Sequence, residues 1–159
     1  MGFKAVVLVV EDVLKSRKLY EEILGCKVES DFGIYNVGFE GGLALYKKSL
    51  FSELINNDNI VSGANNLSVY FEIDDISTLR DKVVNSGFEL VHDIKEQPWG
   101  QGVFRFYDYD KHIIEVAENM YVVIENMYKN GMTVPMIADK TGYAIEDVTS
   151  ILQELQVMQ

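Results

Sequence analysis

Between residues 67 and 74 an apolar row, Leu67, Val69, Phe71 and Ile73, alternates with Ser68, Tyr70, Glu72 and Asp74. A period of two predicts a strand with one covered face. The period then lengthens. Behind Asp75, a residue type that caps helix N-termini, Ile76, Leu79, Val83 and Val84 recur at helical spacing until Gly87 stops them. The same switch occurs earlier: Val6, Leu8 and Val10 alternate with Ala5, Val7 and Val9, and Asp12 precedes Leu19, Tyr20, Ile23 and Leu24 before Gly25. Asp12 and Asp75 stand 63 residues apart, so the chain carries an internal repeat. Extended segments follow each glycine, at 26–30, 34–39 and 43–47 and again at 88–93, 103–108 and 112–117. Each half reads strand, helix, strand, strand, strand.

The pattern predicts an α+β fold of two βαβββ modules, residues 1–48 and 66–118, joined by a polar, asparagine-rich linker at 49–65. Leu50, Phe51, Leu54 and Ile55 predict a short helix at the start of that linker. In each module the apolar row lies under the helix and the alternate row faces a concavity. That second row is dry in the first module. In the second it holds a ring and carboxylates, as a partly wet surface would.

Residues 119–159 read as a helical C-terminal appendage. Met120, Val123, Ile124 and Met127 give one stripe before Gly131; Met136 and Ile137 lie in a short helix closed by Gly142; Ile145, Val148, Ile151, Leu152 and Leu155 give a third. Short helix, glycine turn and longer helix resemble a helix-turn-helix. The would-be recognition helix exposes Glu146, Asp147, Thr149, Ser150, Gln153 and Glu154, with no Lys or Arg, and would repel a phosphate backbone.

Charge extends that argument to the whole chain. There are 25 acidic and 14 basic residues among 159, a net charge of −11, and residues 1–118 hold 20 and 12 of them, so no part conceals a basic face. Nucleic acid is a disfavoured partner, whereas neutral or cationic small ligands meet no repulsion. No apolar run approaches a membrane span of about 20 residues, and Met1–Val10 lacks the charged start and cleavage site of a signal peptide. A cytoplasmic protein is expected. Cys26, the single cysteine, follows Gly25 at a helix C-terminus, where the dipole raises a thiol pKa, so an inert buried side chain is expected.

Three segments together resemble a known family: FKAVVLVVEDVLKSRKLYEEILGCKV (Phe3 to Val28), LSVYFEIDDI (Leu67 to Ile76) and above all PWGQGVFRFYDYDKHIIEVAE (Pro98 to Glu118). They are similar to the glyoxalase/bleomycin-resistance/extradiol-dioxygenase family, the vicinal oxygen chelate superfamily, over about residues 3–118. The last segment resembles the family's W-G…F…D-P-D-G…E ending. The resemblance implies that the two modules form an open, barrel-like sheet of eight strands, that the chain pairs as a homodimer, and that a metal or an organic ligand is held inside.

Metal-dependent members that resemble this chain take ligands from the first and last strands of each module. Those positions correspond here to Ala5, Ser68, about Leu45, and Glu115. Only Glu115 is a credible donor, since a divalent ion needs several nitrogen or oxygen ligands. His92 on a second strand and His112 at a turn do not complete the set. No metal and no cofactor are expected. The segment Asp108 to Lys111 departs from D-P-D-G, with Tyr109 for proline and Lys111 where φ > 0 favours glycine. Register is therefore open: without a bulge Glu115 faces Phe104, and with one it faces Arg105 and can pair with it.

The expected function is metal-independent binding of a small organic molecule, aromatic or cationic, resembling bleomycin-resistance proteins. Candidate ligand contacts are Glu115, Trp99, Tyr70, Glu72, Phe104 and Arg105, with Glu115 the best candidate should there be catalysis. Two alternatives stand beside it. One is a lyase, isomerase or dioxygenase of the glyoxalase superfamily; the other is a ligand-sensing transcriptional regulator acting through the C-terminal helices.

Overall fold

A computed structural model describes residues 1–156 of the chain. Its strands fall into two four-stranded sheets and are not closed into a barrel. The first sheet contains β1 (Val6–Val10), β2 (Val28–Asp31), β3 (Asn36–Phe39) and β4 (Leu43–Lys47) in the order β1-β4-β3-β2. The second contains β5 (Ser68–Ile73), β6 (Leu90–Glu96), β7 (Gly102–Tyr107) and β8 (Ile113–Glu118) in the order β5-β8-β7-β6. The two orders are equivalent, as the repeat requires. By internal packing the chain divides into one unit of residues 1–69, 82–89 and 106–114 and another of residues 70–81, 90–105 and 115 onward.

In the first unit, α1 (Val13–Lys18) begins where Asp12 accepts a hydrogen bond from the Lys15 amide at 3.0 Å. It widens into a π-helical turn, Leu19–Ile23, in which the Leu24 amide reaches the Leu19 carbonyl. Gly25, at φ 74°, ends it. Parallel pairing of β1 with β4 places Leu8 opposite Leu45, and β3 adds Val37 to the same row. These three side chains are buried together with Val13, Leu19 and Tyr20 from the helix. Val6, at the start of β1, is left exposed, contrary to the simple alternation. The opposite row, Val7, Ala44, Gly38 and Ser30, crosses all four strands with small side chains. It lines a shallow hollow of about 220 Å³. The expected linker helix is α2 (Lys48–Ile55), closed by Asn56 in the left-handed region.

The turn after β7 also lies in this unit. The Lys111 amide donates to the Asp108 carbonyl at 3.2 Å, and the Asp108 amide to the His112 carbonyl at 3.0 Å, with Lys111 at φ 66°. This is a three-residue hairpin loop whose third residue is left-handed, the form that introduces a bulge. Lysine thus occupies the conformation for which glycine is favoured. Asp108 secures the loop from inside: Oδ1 accepts from the amides of Asp110 and His112, and Oδ2 from the Tyr20 hydroxyl at 3.1 Å and His112 Nδ1 at 2.8 Å. Burial works against a charged His112, but the hydrogen bond to Asp108 and the charges of Asp108 and Asp110 prevail and hold its pKa above the ordinary value.

In the second unit, Asp75 caps α3 (Ile76–Asn85) by accepting from the Thr78 amide at 3.0 Å and hydroxyl at 2.6 Å. The C-terminal helices are α4 (Met120–Lys129), α5 (Val134–Thr141) and α6 (Ile145–Glu154). They have a core of their own, with Ile124, Ile137, Val148 and Leu152 fully buried. Asn119 caps α4, and Gly142, at φ 78°, ends α5. The outer face of α6 shows Glu146, Asp147, Ser150, Gln153 and Glu154 to solvent, while Thr149 is half-buried and donates to the Ile145 carbonyl. Among the described residues no helix is long and apolar enough to cross a membrane.

Candidate functional site

The second unit brings most of the candidate residues together on two hydrogen-bonded groups. In the first, Arg105 on β7 grips Glu115 on β8 with two parallel bonds, Nε to Oε2 at 2.9 Å and Nη2 to Oε1 at 2.8 Å. The register left open by the sequence is therefore the bulged one. Both side chains are mostly withdrawn from water, 30% and 18% exposed. The remaining guanidinium nitrogen, Nη1, lies 2.8 Å from His92 Nε2. A guanidinium has no lone pair to offer, so Nε2 accepts and the ring proton sits on Nδ1, donating to the Asp93 carbonyl at 2.8 Å. Carboxylate, guanidinium and imidazole form one continuous polar strip.

The second group is a directed chain. Trp99 Nε1 donates to Gln101 Oε1 at 2.9 Å, Gln101 Nε2 donates to the Tyr70 hydroxyl at 3.1 Å, and that hydroxyl donates to Glu72 Oε1 at 2.8 Å. Gln101 also donates to the Glu118 carbonyl at 2.7 Å, which fixes its amide. It is 4% exposed and ties two rings that are partly in solvent, Trp99 at 40% and Tyr70 at 50%. Sequence reasoning missed Gln101, although its place between two glycines in a tight loop, Gly100 and Gly102, was a signal. Burial, then the bond to Glu72, raises the Tyr70 pKa, and the charge of Glu115 adds to the effect. With its proton committed to Glu72, this phenol holds a ring in place and is not poised as a base.

Phe104 requires a correction. It is fully buried, and Arg105 holds the facing position opposite Glu115. Strand alternation cannot put neighbours on one face, so Phe104 belongs to the core. Leu45 is corrected for the same reason: it is buried in the row with Leu8 and Val37, and the open-face positions of β4 are Ala44 and Tyr46. His112 is engaged by Asp108. Ala5 and Ser68 are exposed and offer no strong donor. Among the described residues no three His, Cys, Asp or Glu side chains gather so as to hold a metal ion. With both oxygens of Glu115 bonded to Arg105, the donor set does not fit a resident metal. Cys26 is half-buried, and burial pushes its thiol up to about 11, far from a reactive thiolate.

Comparison with known proteins sets this geometry in context. The model of the glyoxalase-like domain matches residues 3–121, most of the chain. The chain belongs to the glyoxalase-like family. None of the curated proteins matches it. A protein of unknown function from Agrobacterium tumefaciens str. C58 is 36% identical, with 75% of this chain and 94% of that one covered and a TM-score of 0.67. A glyoxalase-related enzyme from Fulvimarina pelagi shares 19% identity over 76% of this chain and 90% of its own, at a TM-score of 0.66. A lactoylglutathione lyase from Agrobacterium tumefaciens shares 18% over 75% and 94%, at 0.57. The last two likenesses show the glyoxalase-like fold alone. The family match ends at residue 121, so α5 and α6 lie beyond it.

Proposed function

We propose that this glyoxalase-like chain binds a small, flat organic molecule, neutral or cationic, on the open face of its second sheet and does so without a metal. One observation carries the reading. The best-placed carboxylate, Glu115, spends both oxygens on Arg105, while the other positions that correspond to family ligands hold Ala5 and Ser68 and the open-face residues of β4 are Ala44 and Tyr46. The Tyr70 and Trp99 rings, tied through Gln101, offer stacking surface, and stacking or cation–π contacts are each worth about 0.5–2 kcal/mol. Glu72 supplies a carboxylate beside them. Exposed Phe32 and Tyr35 and the hollow of the first sheet support pairing with a second copy of the chain.

The test combines three measurements on purified protein: transition-metal content, turnover of the methylglyoxal–glutathione hemithioacetal, and Trp99 emission during titration with planar aromatic cations. The expected result is no stoichiometric metal, no turnover, and saturable quenching that Tyr70→Ala weakens. A tightly held transition ion with three or more side-chain ligands, accompanied by turnover, would replace this account with the catalytic one.

A further inference from the structure

A second cavity lies beside the C-terminal helices. It occupies about 310 Å³, at the lower end of the range for small-molecule sites, between the loop before β7 and helices α4 and α5. Val123, Met127 and Met132 line it with apolar surface, and the Asn126 and Asn130 carboxamides, one helical turn apart, stand over them. The wall opposite is built by a glycine. Gly100 sits at φ 90°, and a Cβ there would come within 2.1 Å of Met127 Cε and 3.2 Å of Lys140 Cε. Absence of a side chain lets α4 and α5 close on the loop.

The polar groups define what the cleft accepts. Lys140, its one cation, is already paired with Glu96 at 3.1 Å. Glu118 gives Oε2 to the Gly102 amide at 2.7 Å, and among the described residues its Oε1 accepts no hydrogen bond. Two carboxylates against one ammonium leave an excess negative charge in a partly enclosed space. The net charge of −11 on the whole chain draws cations toward it. We infer that this cleft is a binding site for a small primary amine with a short apolar body, its ammonium on Glu118 and its carbon chain against Met127 and Met132. Carboxamide oxygens of Asn126 and Asn130 take the remaining ammonium protons, and polarisable thioethers suit an alkyl chain. The site is separate from the Tyr70 and Trp99 rings of the proposed ligand face.

Calorimetric titration of the full chain with 1,4-diaminobutane tests the assignment, with butyrate as the anionic counterpart. Saturable one-site binding of the diamine and none of butyrate are expected. Asn126→Trp, at an exposed helix position, should fill the cleft and weaken binding at least about tenfold while circular dichroism stays unchanged. Glu118→Gln, which keeps an oxygen for the Gly102 amide, should do the same, and Tyr70→Ala should leave binding intact. Equal binding by the wild type and Asn126→Trp would reduce the effect to loose counterion attraction and overturn the inference, as would preference for butyrate. Loss of binding in Tyr70→Ala alone would move the amine to the other site and overturn it too.

Discussion

Arg105 and Glu115 hold the position on which the metal-free reading turns, so the strength of their pairing is a measurable quantity with a functional meaning. Fully exposed pairs contribute about 0–1 kcal/mol, and breaking a fully buried one costs about 3–5 kcal/mol. With side chains 30% and 18% exposed and two bonds of 2.9 and 2.8 Å, this pair falls between those limits. Arg105→Met strands a carboxylate that is largely out of water and should cost about 2–3 kcal/mol. Glu115→Gln retains one acceptor for the guanidinium and should cost about 1–2 kcal/mol. The double variant removes both charges, so its cost should fall short of the sum by about 1–2 kcal/mol. Urea unfolding of all four proteins at neutral pH measures this coupling, provided the denaturant slope is the same throughout. A coupling below about 0.3 kcal/mol would refute the reasoning. Arg105 would then not hold Glu115 in solution, and the argument against a metal would lose its basis.

Three further outcomes follow from the same geometry. Lys111→Gly relieves a left-handed residue at φ 66° but surrenders an exposed ion pair with Glu89. Stability should rise by about 0.5 kcal/mol, and a loss above about 1 kcal/mol in the same unfolding assay would count against the strained turn. His112 has a raised pKa in the folded chain, so its contribution is complete below the unfolded value and fades as pH rises through the folded one. Thermal midpoints should therefore decline from about pH 6.5 upward, and His112→Gln should flatten that slope; an unchanged slope would show that another group titrates. Gln101→Leu removes the acceptor of the Trp99 indole N–H and one hydrogen bond each to the Glu118 carbonyl and to the Tyr70 hydroxyl, which keeps Glu72, at a cost of about 1–3 kcal/mol and with a red shift of Trp99 emission. Unaltered emission would mean that Gln101 does not position the ring.

Legibility in the sequence tracked the range of the interaction that decides each feature. Helix starts at Asp12 and Asp75 depend on bonds to residues three places away, and the stops at Gly25 and Gly87 on a positive φ that glycine itself supplies, so the sequence shows what decides each. The three C-terminal helices were readable for the same reason. The register that sets Phe104 or Arg105 opposite Glu115 stayed open in the sequence because a single bulged residue moves every side chain of a strand to the other face. Its cause, Lys111 in the left-handed region, follows from a loop held by Asp108, whose partner Tyr20 lies 88 residues away. Gln101 was missed on similar grounds, since it reaches 31 residues to Tyr70 and 17 to Glu118. A glutamine between glycines signals a tight loop but not the residues it reaches.

The two modules share one pattern of strands and helix, yet their open faces have diverged. Across the first sheet run Val7, Ala44, Gly38 and Ser30, and a Cβ at Gly38 would come within 2.6 Å of Ser30 Oγ, so the serine would have to turn aside. Such a row offers area and little chemistry. The corresponding face of the second module holds Tyr70, Glu72, Arg105 and Glu115, each engaged by a partner that sets its direction. Polar groups held in fixed orientations impose selectivity, because a ligand that fails to match them leaves them unpaired at about 1–3 kcal/mol each. On the proposed function, recognition would belong to the second module and surface complementarity to the first. Substitutions at Ala44 or Val7 should alter how copies of the chain associate, and those at Tyr70 or Glu72 should alter which ligand is held; the reverse pattern would contradict this division.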